Sequence, residues 1–127
     1  VLHAHPIDVL VLGGLLRKEF PSFYGPTAEG MLESCRVDTL FIGCDGANST
    51  DGFYTTEVRI STLEQSMIRI AERVVMVSES AKFGRRAFVR FAVPSDVDVV
   101  VTDSGLAESD RHNLEEAGVR VVIAEVA

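Results

Sequence analysis

Short, unbroken apolar runs, rich in Val and Ile and each stopped by Gly, Asp or Ser, constrain this chain most. Residues 7–12 stop at Gly13-Gly14, residues 38–43 at Cys44-Asp45-Gly46, residues 74–77 at Ser78-Glu79-Ser80, and residues 97–101 at Thr102-Asp103. A last run covers residues 119–123. A strand with one wet face alternates apolar and polar side chains, whereas an unbroken run marks a strand covered on both faces. The pattern predicts a mostly parallel sheet with helices on both faces.

The helices fall between the runs. Across residues 60–73, Ile60, Leu63, Met67, Ile70, Ala71 and Val74 recur at helical spacing. Ser61-Thr62-Leu63-Glu64 has the form of a capping box that would start this helix. A second helix is expected over residues 107–117, with Glu108 and Asp110 in its first turn and Gly118 as its stop. A shorter one is expected over residues 27–34, after Gly25-Pro26. The order β-α-β-α-β-(irregular)-β-α-β describes a doubly wound α/β domain, one unit over residues 1–127. Ligands of such sheets sit beyond the carboxyl ends of the strands.

Composition narrows the partners. Twelve Lys and Arg against 19 Asp and Glu give the 127 residues a formal charge of −7. Phosphate contacts need a surplus of basic residues, so direct nucleic-acid binding by this segment is not expected. Nothing approaches the roughly 18 consecutive apolar residues of a membrane span, and no export signal opens the chain. Cys35 and Cys44 sit in apolar contexts that suit a reducing cytoplasm.

Two loops at strand ends carry candidate chemistry. In Asp45-Gly46-Ala47-Asn48-Ser49-Thr50-Asp51-Gly52, Gly46 and Gly52 allow close backbone approach, while Asp45 and Asn48 offer hydrogen-bonding groups. The plain alternative is an Asx turn and a Gly turn on the surface. In the stretch from Ser80 to Ser95 there is no acidic residue, but Lys82, Arg85, Arg86 and Arg90 are present. Such a patch attracts phosphate or carboxylate, unless it pairs with acidic neighbours. Glu64 starts a helix near both loops, although the capping box alone would explain it. Asp103 reads as a turn former or capping group. His3 and His5 share a strand-like face without a third ligand, so no metal site is expected. No G-x-S-x-G, C-x-x-C, Walker A or G-x-G-x-x-G pattern occurs, and no cofactor is expected.

Taken together, these motifs resemble the carboxy-terminal effector (sensor) domain of DeoR-family transcriptional repressors. Gly13-Gly14-Leu15-Leu16, Gly25-Pro26-Thr27, the run 38–43 with Asp45-Gly46 and Gly52, and the run 74–77 leading to Lys82-Phe83-Gly84 match that family's order and spacing. Glu79 stands where the family usually has Asp, and Ala81 where it usually has Ser. The chain is also similar to ribose-5-phosphate isomerases, which share the broader ribose-5-phosphate isomerase/CoA transferase-like fold. Their Asp-Gly-Ala-Asp loop aligns with Asp45-Gly46-Ala47-Asn48, and their catalytic Glu with Glu64, 18 residues before Lys82. Asn48 cannot ionise and no Lys lies between Asp45 and Lys82, so the acid–base set is incomplete.

The resemblance implies a module that binds a phosphorylated sugar effector through Asp45, Gly46, Asn48, Glu64 and Lys82, with Arg85 nearby, and performs no catalysis. The alternative is a sugar-phosphate isomerase-like enzyme. The helix-turn-helix domain and an Asp-x-Gly-Thr-Thr phosphate loop of the family are not found in this sequence. The expectation is therefore a partial effector domain, truncated at its amino terminus, that touches DNA only through a missing N-terminal domain. It is also expected to form a homo-oligomer, a dimer or tetramer.

Overall fold

A computed structural model describes residues 6–125; His3 and His5 lie outside them. The elements in chain order are β1 (Leu15–Leu16), β2 (Phe23–Tyr24), α1 (Pro26–Leu32), β3 (Val37–Ile42), β4 (Gly46–Asn48) and β5 (Gly52–Thr55). They continue with α2 (Val58–Ile70), β6 (Ala71–Val77), β7 (Val89–Ala92), β8 (Val99–Thr102), α3 (Glu108–Glu116) and β9 (Arg120–Ile123). Four of the predicted runs form one parallel sheet in the order β3-β6-β8-β9. Helices flank this sheet, as the unbroken runs require.

The register fixes which side chains share a face. Ile42 pairs with Met76 and Met76 with Val100, so one face gathers Ile42, Val74, Met76 and Val100. That face packs against Ala47, Phe53, Phe91 and Ala92 of a second, antiparallel sheet, β4-β5-β7, and against Leu114 of α3. A smaller cluster joins Ala28 and Leu32 of α1 to Leu63 and Ile70 of α2. On the other face of the parallel sheet, Phe41 at the edge is 71% exposed and Val77 is 48% exposed.

Three features depart from the sequence expectations. The run 7–12 forms no strand: Ile7, Val9, Leu10 and Val11 are exposed, and only Leu12 packs against the α1–α2 cluster. The composition of this run fits burial, but a strand is a pairing, and no described strand lies beside it. Second, an antiparallel sheet stands where no strand is expected: β4 and β5 fall within residues 45–56, read like 78–86 as non-periodic, and β7 follows the latter at Val89–Ala92. Its hairpin turns between Asn48 and Gly52, where Gly52 has φ +126° and Ala92's carbonyl occupies the space a Cβ would need.

Third, the capping box at Ser61 does not form. Helix α2 begins at Val58 with Glu57 as its N-cap residue; the Ser61 amide donates to the Glu57 carbonyl and the Ser61 hydroxyl to the Val58 carbonyl, at 2.7 Å. Ser61 is thus already inside the helix, and Glu64 is released from any capping role.

Phe53 is fully buried between the two sheets. Phe53→Ala should lower the unfolding free energy by about 3–5 kcal/mol, read as a reduced midpoint in urea.

Candidate functional site

Because β3, β6 and β8 run parallel with Ile42 beside Met76 and Val77 beside Val101, their carboxyl ends lie side by side. Immediately beyond them come Gly43-Cys44-Asp45, Ser78 to Lys82, and Asp103. Two hollows adjoin there. One, of about 320 Å³, is lined by Arg17, Gly43, Cys44, Asp45, Thr55, Ile60 and Glu64. The other, of about 310 Å³, is lined by Gly43, Cys44, Val77, Ser78, Glu79 and Lys82. Gly43 and Cys44 border both, so the two form neighbouring parts of one surface cleft.

Of the sequence-predicted residues, Asp45, Glu64 and Lys82 line this cleft. Asp45 Oδ2 accepts hydrogen bonds from Thr55 Oγ1 at 3.2 Å and from the Thr56 amide at 3.0 Å. Glu64 reaches the cleft from the second turn of α2, with Oε2 buried and without a hydrogen-bond partner among the described residues. Burial, and then the nearby Asp45, push its carboxyl up to about 8, against a smaller opposing pull from Arg17. Lys82 ends a 3-10 turn, Ser80–Lys82, and joins no ion pair among the described residues.

Gly46, Asn48 and Arg85 serve the framework around the cleft. Gly46 is buried, and the backbone of Arg85 and Ala87 fills the space beside its Cα, so its missing side chain lets the basic loop approach β4. Gly84 donates to the Ala47 carbonyl at 2.9 Å and Arg85 bridges Ala47, which completes that seam. Asn48 Oδ1 is engaged in its own turn, accepting from the Thr50 amide, the Thr50 hydroxyl and the Asp51 amide. This is the Asx turn that the sequence offered as the plain alternative. The Arg85 side chain is exposed and lines neither hollow. Arg86 pairs with Asp51 at 2.9 Å, and Arg90 donates to the Asp51 carbonyl. Much of the basic patch is therefore a tie to the hairpin turn, which leaves Lys82 as the cation facing the cleft from this loop.

Two contributors were not singled out for the site from the sequence. Arg17, in the β1–β2 hairpin, borders the cleft and pairs with Glu57 at 2.8 Å. Forty residues separate the pair, and nothing local signals it. Asp103 accepts from the Ser80 amide at 2.8 Å, the Ser80 hydroxyl at 2.6 Å and the Gly105 amide at 2.9 Å. Those bonds hold its carboxyl well down, to about 2. The expected turn-forming role is met across a sheet, where Asp103 anchors the turn that presents Lys82.

Cys44 donates its thiol to Ser78 Oγ at 3.4 Å, and burial raises its pKa, so it is a poor thiolate nucleophile. Cys35 and Cys44 are both free thiols. No group of three or more His, Cys, Asp or Glu among the described residues is placed to hold a metal ion. No described helix is long and apolar enough to cross a membrane.

The model of the DeoR C-terminal sensor domain matches residues 1–104. The chain belongs to that family. Across 91% of its length it is 36% identical to the HTH-type transcriptional regulator GlpR of Haloferax volcanii, covering 45% of that protein. Across 97% of its length it is 32% identical to a putative aga operon transcriptional repressor of Escherichia coli O157:H7, covering 46% of it. An L-fucose operon activator of Haemophilus influenzae is 20% identical over 92% of the chain and is covered to 47%. This sensor domain thus spans a little under half the length of these relatives, which are transcriptional regulators.

Asp103→Ala should speed hydrogen exchange at the Ser80 and Gly105 amides and leave the Met76 and Val100 amides protected. The same anchoring is present in full above the ordinary carboxylate range, near 3.8, and is lost as the pH falls through about 2.

Proposed function

We propose that this sensor domain binds a phosphorylated sugar in the cleft at the ends of β3 and β6, and so controls a transcriptional regulator of sugar metabolism. The observation that carries this reading is the asymmetry of the cleft. Lys82, in no ion pair among the described residues, stands on one side, suited to a phosphate, while Asp45 and Glu64 stand on the other, suited to hydroxyl and other sugar oxygens. The names of relatives as operon regulators, one of them for L-fucose, support the same class of effector. In this reading Gly46 and Asn48 shape the wall, and Arg85 adds positive potential from outside it. DNA is bound by an N-terminal domain of a longer protein, and this domain also joins copies into a dimer or tetramer.

The cleft senses and does not turn its ligand over. Asn48 cannot ionise, and its carbonyl oxygen is held inside its own turn. Cys44 is protonated and hydrogen-bonded to Ser78. An isomerase needs a base at the acidic C–H and a second group at the enediolate oxygen. Incubating the full-length regulator with pentose and hexose phosphates should give no aldose–ketose conversion above background; sustained turnover would make the protein an enzyme.

A thermal-shift screen of the full-length protein against sugar monophosphates tests the effector class, since a ligand at 100 times its Kd adds about 2.7 kcal/mol. Lys82→Ala should then weaken the binding of the active compound by about 1.5–3 kcal/mol. Unchanged affinity would remove Lys82 from the phosphate site.

A further inference from the structure

Three charged side chains line the hollow beyond β3, and they are unequally partnered. Asp45 receives two hydrogen bonds, from Thr55 and Thr56. Arg17 spends its guanidinium on Glu57, at the start of α2. Glu64 has neither kind of partner: its Oε2 is buried and unbonded among the described residues. The route back to its own helix end is closed, because the Ser61 amide already donates to the Glu57 carbonyl. Burial, and the Asp45 carboxyl that shares the hollow, both disfavour ionisation of Glu64. The other titratable groups around it are the Cys44 thiol from the end of β3, Glu57 beyond Arg17, and Glu79 and Lys82 from the adjoining hollow.

We infer that Glu64 lines the cleft as a neutral carboxyl and donates a hydrogen bond to an acceptor oxygen of the bound sugar phosphate, so that this sensor reads pH together with its effector. The inference rests on the sugar-phosphate reading above. A neutral donor suits this position better than a second carboxylate, because the effector is itself anionic and Asp45 already supplies an acceptor. Ionisation of Glu64 would replace the donor with a charge that repels both. With Glu64 held up to about 8, this change falls within reach of ordinary alkaline buffers. The second ionisation of a phosphate ester lies near pH 6, so the effector's charge is constant above about pH 7.

The test uses the full-length regulator with ribose 5-phosphate, glucose 6-phosphate and fructose 6-phosphate, titrated calorimetrically between about pH 7 and pH 9. For whichever of these binds, wild-type affinity should fall about tenfold over that range. Glu64→Gln, which keeps a donor but does not titrate, should bind comparably at pH 7 and show no such fall. A ligand-free comparison reads the proton directly. The folded state retains it while the unfolded chain releases it above about 4.5, so wild-type stability drops between there and about 8. The Tm of Glu64→Gln should therefore rise relative to wild type across that interval. A flat wild-type binding profile, or a flat Tm difference, overturns the neutral donor and leaves the sugar-phosphate reading standing. Failure of all three sugars to bind wild type at any pH overturns both.

Discussion

The cleft depends on the burial of β6. This strand is hydrogen-bonded on both edges, to β3 and to β8, and Val74, Val75 and Met76 are buried in succession. Only a strand covered on both faces tolerates three consecutive apolar side chains, and only a parallel arrangement brings the ends of its neighbours to the same side. That one arrangement sets Cys44, Ser78 and Asp103 beside one another, although 59 residues of sequence separate the first from the last. The cleft is thus a by-product of sheet direction, furnished by the loop at the carboxyl end of each strand.

Those loops are held in place by backbone contacts. Asp103 reaches across from β8 to grip the turn after β6, and Gly46 lets the basic loop lie directly on β4. Lys82 stands between these two anchors. Its position owes little to its own flexible stem and much to groups that never approach a ligand. Glu64 is held differently: α2 sets its backbone, but its Oε2 has no hydrogen-bond partner among the described residues. A buried oxygen without a partner is a cost to folding.

The legible parts of this protein were those with a strong local period. The runs at β3, β6, β8 and β9 announced a parallel sheet because continuous Val and Ile suit few other environments, and α2 showed its spacing over residues 60–70, although Ala71 and Val74, counted into the same period, belong to β6. The antiparallel sheet was not legible. β4 is three residues long and contains Gly46 and Asn48, while β7, which pairs with the other edge of β5, lies some forty residues further on. The run 7–12 misled for the opposite reason, since composition reports a wish for burial and not the presence of a neighbour. Asp45, Glu64 and Lys82 could be placed near one another because strand ends and helix starts can be counted along a sequence, and all three line the candidate cleft. Asn48 was drawn off by a turn three residues wide, and Arg17 was missed because its ion pair with Glu57 exists only in three dimensions.

The uncovered flank of β3 also bears on the material behaviour of the isolated domain. Among the described residues β3 is an edge strand that leaves one row of amides and carbonyls without a ladder partner, with Phe41 standing out from one face. Such an edge is adhesive toward any similar edge. A formal charge of −7 sets long-range repulsion against any such approach, which contact between copies must overcome. Acid or concentrated salt, by discharging or screening the surface, lowers that repulsion and leaves the flank freer to meet another edge.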